Sequence, residues 1–208
     1  MDVEIAAFDV DGTLTVRDCV FPFMRRVAGT VPLIAGTGLM ARECAPMIVQ
    51  RDRDGLKAAF VRKVFTGRSV EEVQDKGARF ASHVVATRMR GDVARRLRWH
   101  QESGHIVLLV SASLGPYLHP LGDMLEVDGV LCTELEEDSG VYTGRLIGRN
   151  CRGSEKVARV RAWLEEAGMG NRALDYAYGD SSGDKELLLD ARHPLNVKAV
   201  DVTAGDQP

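Results

Sequence analysis

Short apolar runs of 4 to 6 residues return along the chain, and they restrict its fold more than any other feature. They are Val3–Phe8, His105–Val110, Gly129–Thr133, Leu174–Tyr178 and Val197–Val200, most of them bounded by Gly, Asp or Ser. Runs of this kind predict strands buried on both faces, as in a parallel sheet, rather than alternating, half-exposed ones. Helical patterns fill the gaps. Asp92 can cap a helix running to Trp99, with Gly104 beyond its end. Ser154 can cap another, in which Val157, Val160, Leu164 and Ala167 share a face and Gly168 stops the helix. Strands alternating with helices predict an open α/β sheet.

Two stretches depart from that alternation. Residues from about 17 to 88 hold no convincing strand, and positions 73, 77, 80 and 84 have amphipathic helical spacing. The expected organisation is therefore an α/β core of residues 1–16 and 89–208, with residues 17–88 as a helical insert over one end of the sheet. Between Leu131 and Gly148, Asp138-Ser139-Gly140 divides two strand-like halves and predicts a hairpin.

A chain of 208 residues can bury a core without disulfides or a structural metal. Its net charge of -3 lacks the basic footprint of a nucleic-acid-binding protein. Cys19, Cys44, Cys132 and Cys151 form no C-x-x-C pair and read as small buried hydrophobes in a reducing compartment. No basic leader precedes the first strand. The longest uncharged stretch, Val27–Ala41, is broken by Gly and Pro and falls short of the ~20 apolar residues a transmembrane helix needs. A cytoplasmic protein is expected. Leu33, Ile34, Leu39 and Met40 in that stretch pack a core or line an apolar wall for substrate.

Ligands of open α/β sheets gather at the carboxyl ends of strands. Here the first strand runs into Asp9-Val10-Asp11-Gly12-Thr13, the second into Ser111-Ala112-Ser113, and the fourth into Gly179-Asp180-Ser181-Ser182-Gly183-Asp184. Lys156 begins the helix before that fourth strand. Clustered carboxylates repel one another and call for a divalent cation, and an oxygen-only ligand set favours Mg²⁺. Gly12 permits a tight turn that turns backbone N–H groups toward phosphate oxygens.

Phe8-Asp-Val-Asp-Gly-Thr-Leu-Thr15, Leu109-Val-Ser111, Gly153-Ser-Glu-Lys156 and Gly179-Asp-Ser-Ser-Gly-Asp184 resemble the four motifs of the haloacid dehalogenase superfamily. The closest branch is the phosphoserine-phosphatase-like subfamily IB. The resemblance implies a Rossmann-like open parallel sheet of about five strands, a helical cap inserted after the first strand and a small β-hairpin. It also implies a Mg²⁺-dependent phosphomonoesterase that acts on a small organic phosphomonoester. Asp9 would be the nucleophile and a metal ligand. Asp11 would be the general acid and base, its carbonyl near the metal. Gly12, Ser111, Ala112 and Lys156 would hold the phosphoryl group. Asp180 would bind metal and Asp184 would orient its water shell. Asp18 stands where relatives place a substrate-contacting acid.

Other readings fare worse. A calcium loop would need an acid or amide at Thr13 and Gly at Leu14. A serine-hydrolase elbow at Ser181 needs a later acid and histidine on separate units, yet Asp190 and His193 are three positions apart. Asp11 counts against a dehalogenase. A phosphotransferase or phosphomutase, or a silent binding module, remains an alternative. Gly183, where phosphoserine phosphatases carry Asn, counts against phosphoserine as substrate. So does the absence of a cap arginine at Ala59. The histidines show no ligand spacing. Arg51, Arg53, Lys57, Arg62 and Lys63 read as a solvated helix face, with phosphate steering as the sharper alternative.

Overall fold

The computed structural model describes residues 3–29, 45, 47, 49, 50, 52–199 and 202. In chain order its elements are β1 (Ile5–Phe8), α1 (Val20–Ala28), α2 (Arg53–Phe65), α3 (Val70–Thr87), α4 (Gly91–Glu102), β2 (Ile106–Leu114) and α5 (Gly115–Met124). They continue with β3 (Gly129–Asp138), β4 (Val141–Ile147), α6 (Ser154–Glu166), β5 (Leu174–Gly179), α7 (Lys185–Asp190) and β6 (Ala191–Asn196).

The six strands form one sheet in the order β4-β3-β2-β1-β5-β6. Every pairing is parallel except that of β3 with β4. All four residues of β1 are fully buried, as its unbroken apolar run requires. Because β1 lies between β2 and β5, the chain leaves its centre at Asp9. From β1 the sheet grows outward through β2 and β3 on one side and through β5 and β6 on the other. That reversal of strand order opens a crevice at the carboxyl ends of β1, β2 and β5.

The hairpin follows its turn chemistry. Ser139 and Gly140 both have positive φ, 51° and 80°, which is the backbone of a tight two-residue turn. Three sequence expectations need correction. The last strand is Ala191–Asn196, not Val197–Val200. It is an edge strand, mostly exposed and carrying Pro194, so no apolar run marks it. Asp92 does not cap α4; its carboxylate instead pairs with Arg90 at 2.7 Å. Ser154 is the first residue of α6 and makes no cap bond.

The chain between β1 and α4 contributes α1, α2 and α3. Asp52 caps α2 by accepting the Gly55 N–H at 2.9 Å, and Ser69 caps α3 through the Glu72 N–H. As the periodicity predicts, α3 buries Val73, Gly77, Phe80 and Val84 on one face. These helices share a core with the sheet. The ring of Phe23 on α1 packs 4.8 Å from Tyr117 on α5 and 5.5 Å from Phe80 on α3. One apolar cluster runs from Phe8 through Tyr117 to Phe23, Phe65 and Phe80. Leu33, Ile34, Leu39 and Met40 lie outside the described residues. Among the described residues, no helix is long and apolar enough to cross a membrane.

Candidate active site

Asp9 follows β1 directly, and its side chain is buried against Lys156 from the first turn of α6. Lys156 Nζ donates to Asp9 Oδ1 and to Asp184 Oδ1, each at 2.6 Å. Burial opposes the Lys156 charge, but the two carboxylates override it and hold the ammonium well above its usual range. Burial also works against Asp184. Lys156, the Ser181 hydroxyl at 2.8 Å and the Ser181 N–H at 3.0 Å outweigh it and keep that carboxyl below its ordinary value. Asp9 goes the other way: desolvation dominates and raises it despite Lys156.

Asp180 closes the acidic group. Carboxylate oxygens of Asp9, Asp180 and Asp184 lie within 4.8 Å of one another. Lys198 pairs with Asp180 Oδ2. Gly12, at φ +85°, lies so close to this carboxylate that a Cβ would collide with it.

Asp11 points elsewhere. Its Oδ1 accepts the Cys19 N–H at 2.7 Å, and its Oδ2 accepts the Ser113 hydroxyl at 2.5 Å. Tyr117 in turn donates to Ser113 at 2.7 Å. Burial pushes the Asp11 carboxyl up to about 7. The charges of Asp18 and Asp9 add to that, against the lowering effect of the Ser113 and Cys19 bonds. A carboxyl in that range can give or take a proton near neutrality.

Asp9, Asp11, Asp18, Ser111, Ala112, Lys156, Asp180 and Asp184 therefore line one cavity of 390 Å³. Gly12 flanks it, in a neighbouring groove shared with Asp11 and Asp180. Ser111 is buried, and its hydroxyl accepts the Ser113 N–H at 3.1 Å. Asp18 sits exposed at the rim, where its Oδ1 accepts the Phe21 N–H at 3.2 Å and caps the start of α1.

Several participants were not apparent from the sequence. Lys57 does not belong to a solvated face. Its ammonium reaches from α2 to the Ala112 carbonyl, the Thr133 hydroxyl at 3.0 Å and Asn150 Oδ1 at 2.7 Å. Burial pulls its pKa down to about 8. Only its spacing from Leu56 and Phe60, which share its side of the helix, hinted at an inward position. Arg152 lines the cavity above Gly183, where a Cβ would meet its guanidinium Nε at 3.1 Å. The missing side chain at 183 leaves the room that Arg152 fills. Away from the cavity, His119 pairs with Glu134 at 2.8 Å, and the Cys132 thiol donates to the same oxygen at 2.9 Å. His100 is held neutral by burial, its pKa lowered to about 3, and hydrogen-bonds to His105 and Tyr178.

The family profile of the haloacid dehalogenase-like hydrolases matches residues 6–189. The chain belongs to that family. Protein CicA of Caulobacter vibrioides is 35% identical to this hydrolase over 185 residues, covering 88% of this chain and 81% of CicA. Phosphoserine phosphatase SerB1 of Mycobacterium tuberculosis is 27% identical over 194 residues, covering 90% of this chain and 63% of SerB1. A Bordetella pertussis protein of unknown function superposes with a TM-score of 0.77 at 23% identity, over 91% of this chain and 87% of that one. A substrate-bound phosphoserine phosphatase superposes with a TM-score of 0.61 at 15% identity, over 92% and 84% of the two chains. This haloacid dehalogenase-like hydrolase thus has its similarities in the phosphoserine-phosphatase-like branch.

Proposed function

We propose that this hydrolase is a Mg²⁺-dependent phosphomonoesterase that works through an aspartyl-phosphate on Asp9. The observation that carries the reading is the buried pair Asp9–Lys156 with Asp11 beside it, in one cavity and with distinct environments. Asp9 Oδ attacks phosphorus, the bond to the ester oxygen breaks, and Asp11 gives its proton to the departing alkoxide. Water then attacks the phosphoryl group, Asp11 takes the water's proton, and inorganic phosphate leaves Asp9. Ser111, Lys156, and the backbone at Gly12 and Ala112 hold the phosphoryl oxygens through charge and hydrogen bonds.

The residues fit a hard divalent cation. Asp9 and Asp180 supply oxygen donors, Asp184 lies within reach, and Lys198 already places a positive charge on Asp180. Bound there with the Asp11 carbonyl as a further ligand, Mg²⁺ would neutralise charge on the transferring phosphoryl group. Asp184 positions Lys156 and turns its second oxygen to the Asp180–Ser181 amides. Residues 17–88 act as a cap over the core of residues 1–16 and 89–208, and Asp18 contacts substrate from its rim. Free, buried Cys19, Cys132 and Cys151 fit a cytoplasmic setting.

Phosphate release from p-nitrophenyl phosphate, phosphoserine, sugar phosphates and lysophosphatidate, with and without Mg²⁺, tests the reading. Asp9→Asn should abolish Mg²⁺-dependent release. Release that survives the substitution would overturn the mechanism, and release only when a second organic acceptor is supplied would favour a phosphotransferase.

A further inference from the structure

We propose that the alcohol carried by the substrate is apolar, so that this site prefers alkyl or aryl phosphomonoesters over zwitterionic amino-acid phosphates. The inference rests on the phosphomonoesterase reading and names the substrate class of that same cavity.

The cavity has two unlike walls. Its floor holds the carboxylates, Ser111 and Lys156. Its outer wall is built by Val20, Phe21 and Met24 of α1 and by Leu56 and Phe60 of α2. Positions 20 and 24, like 56 and 60, are one helical turn apart, so each helix presents an apolar stripe to the same space. The rings of Phe21 and Phe60 meet edge to face at 6.2 Å, bridging the two stripes. Phe21 remains 49% exposed. An aromatic ring left open at the mouth of a reaction cavity is placed to be covered by whatever enters.

Among the described residues, Asp18, Lys57 and Asp54 on this side already have partners. Among the described residues, Asp18 is the one carboxylate of the outer wall, and one of its oxygens accepts the Phe21 N–H at the start of α1. An ammonium has three donors, and Lys57 directs its bonds to Ala112, Thr133 and Asn150. Asp54 receives the Asn150 amide at 2.6 Å. An amino-acid phosphate entering the cavity would therefore set its ammonium and carboxylate against apolar side chains and lose their hydration without full replacement. An alkyl or aryl group would bury its surface against the same wall. Arg53 and Arg152 at the mouth remain for the phosphoryl group as it arrives.

The test is kcat/KM with Mg²⁺ for ethyl, butyl, octyl and phenyl phosphate beside O-phosphoserine. A buried methylene changes transfer by an amount equal to about fourfold. The series should rise by about that factor per methylene while the chain lies on the wall, with phosphoserine at least roughly tenfold below butyl phosphate. Phe60→Ala should flatten the chain-length slope. Should that variant fail to fold, Phe21→Ala at the half-exposed position reads the same slope. A flat series in the wild type, or preference for phosphoserine, would overturn the inference and leave the phosphatase reading standing. Absence of turnover for every ester would instead strike the phosphatase reading. In that case, calorimetric affinities for alkylphosphonates of the same lengths would decide the wall's role: chain-length-independent binding would overturn it.

Discussion

Lys57 donates to Asn150 Oδ1 at 2.7 Å, and so ties α2 to the loop before the helix that carries Lys156. The same ammonium bonds the carbonyl of Ala112, the residue after Ser111. A single side chain from α2 thus reaches both the Ser111–Ala112 segment of β2 and the loop before α6.

Lys57→Met is expected to lower kcat/KM by about tenfold, because Ala112 and Asn150 lose the contact that sets their positions. It should also cost on the order of 2 kcal/mol near neutral pH by leaving buried acceptors unpaired. The pH dependence supplies a sign. Burial lowers the Lys57 pKa to about 8 from an ordinary 10.5, so between those values the unfolded chain binds more protons than the folded one. Wild-type stability relative to Lys57→Met should therefore grow from pH 8 to pH 10. Denaturant melts of both proteins at the two pH values measure it, and a gap that shrinks would contradict the assignment.

Among the described residues, Lys156 is the one ammonium bridging Asp9 and Asp184, and all three side chains are buried. Lys156→Met leaves two buried carboxylates uncompensated, which is worth about 3–5 kcal/mol in stability for comparable pairs. The variant should be rescued by acid and by Mg²⁺, each of which removes the repulsion. Its kcat should fall by roughly 10²–10³, the usual cost of losing one fixed charge at a reacting centre. Thermal melts at pH 5 and 8, with EDTA and with Mg²⁺, check the first part. Single-turnover phosphate release checks the second.

Asp11 stores an opposite pH dependence. Its folded pKa, raised to about 7 chiefly by burial, exceeds its ordinary 3.8. Its contribution is thus fully present below about pH 4 and is lost as pH rises toward 7. In EDTA, Asp11→Asn should gain stability relative to wild type between pH 5 and pH 8, by on the order of 2–3 kcal/mol. An unchanged difference across that range would remove the raised pKa, and with it the case for Asp11 as proton donor near neutrality.

The centre of the sheet was legible because β1, β2 and β5 are buried on both faces and therefore read as apolar runs. The hairpin was legible because Ser139-Gly140 fits its turn. β6 was not: an edge strand with exposed residues has no run to show. The acidic group was legible because its members terminate strands or open a helix, where residue type and position coincide. Lys57 was hidden for the opposite reason. On α2 it sits among other basic residues, and only tertiary contacts 55 to 93 positions away distinguish it from them. Ser113 and Tyr117 were likewise silent, since a hydroxyl's partner depends on which strand and helix lie beside it.

Pro194 has a consequence for the molecule in a crowded solution. It lies in β6, opposite Ala177 of β5, on the strand that ends the sheet. A border strand with a complete row of amide donors invites a strand from another molecule to lengthen the sheet. Pro194 breaks that row, and the neighbouring Arg192 sets a charge beside the gap. The same residues that hide β6 from a search for apolar runs also keep it from recruiting a copy of itself.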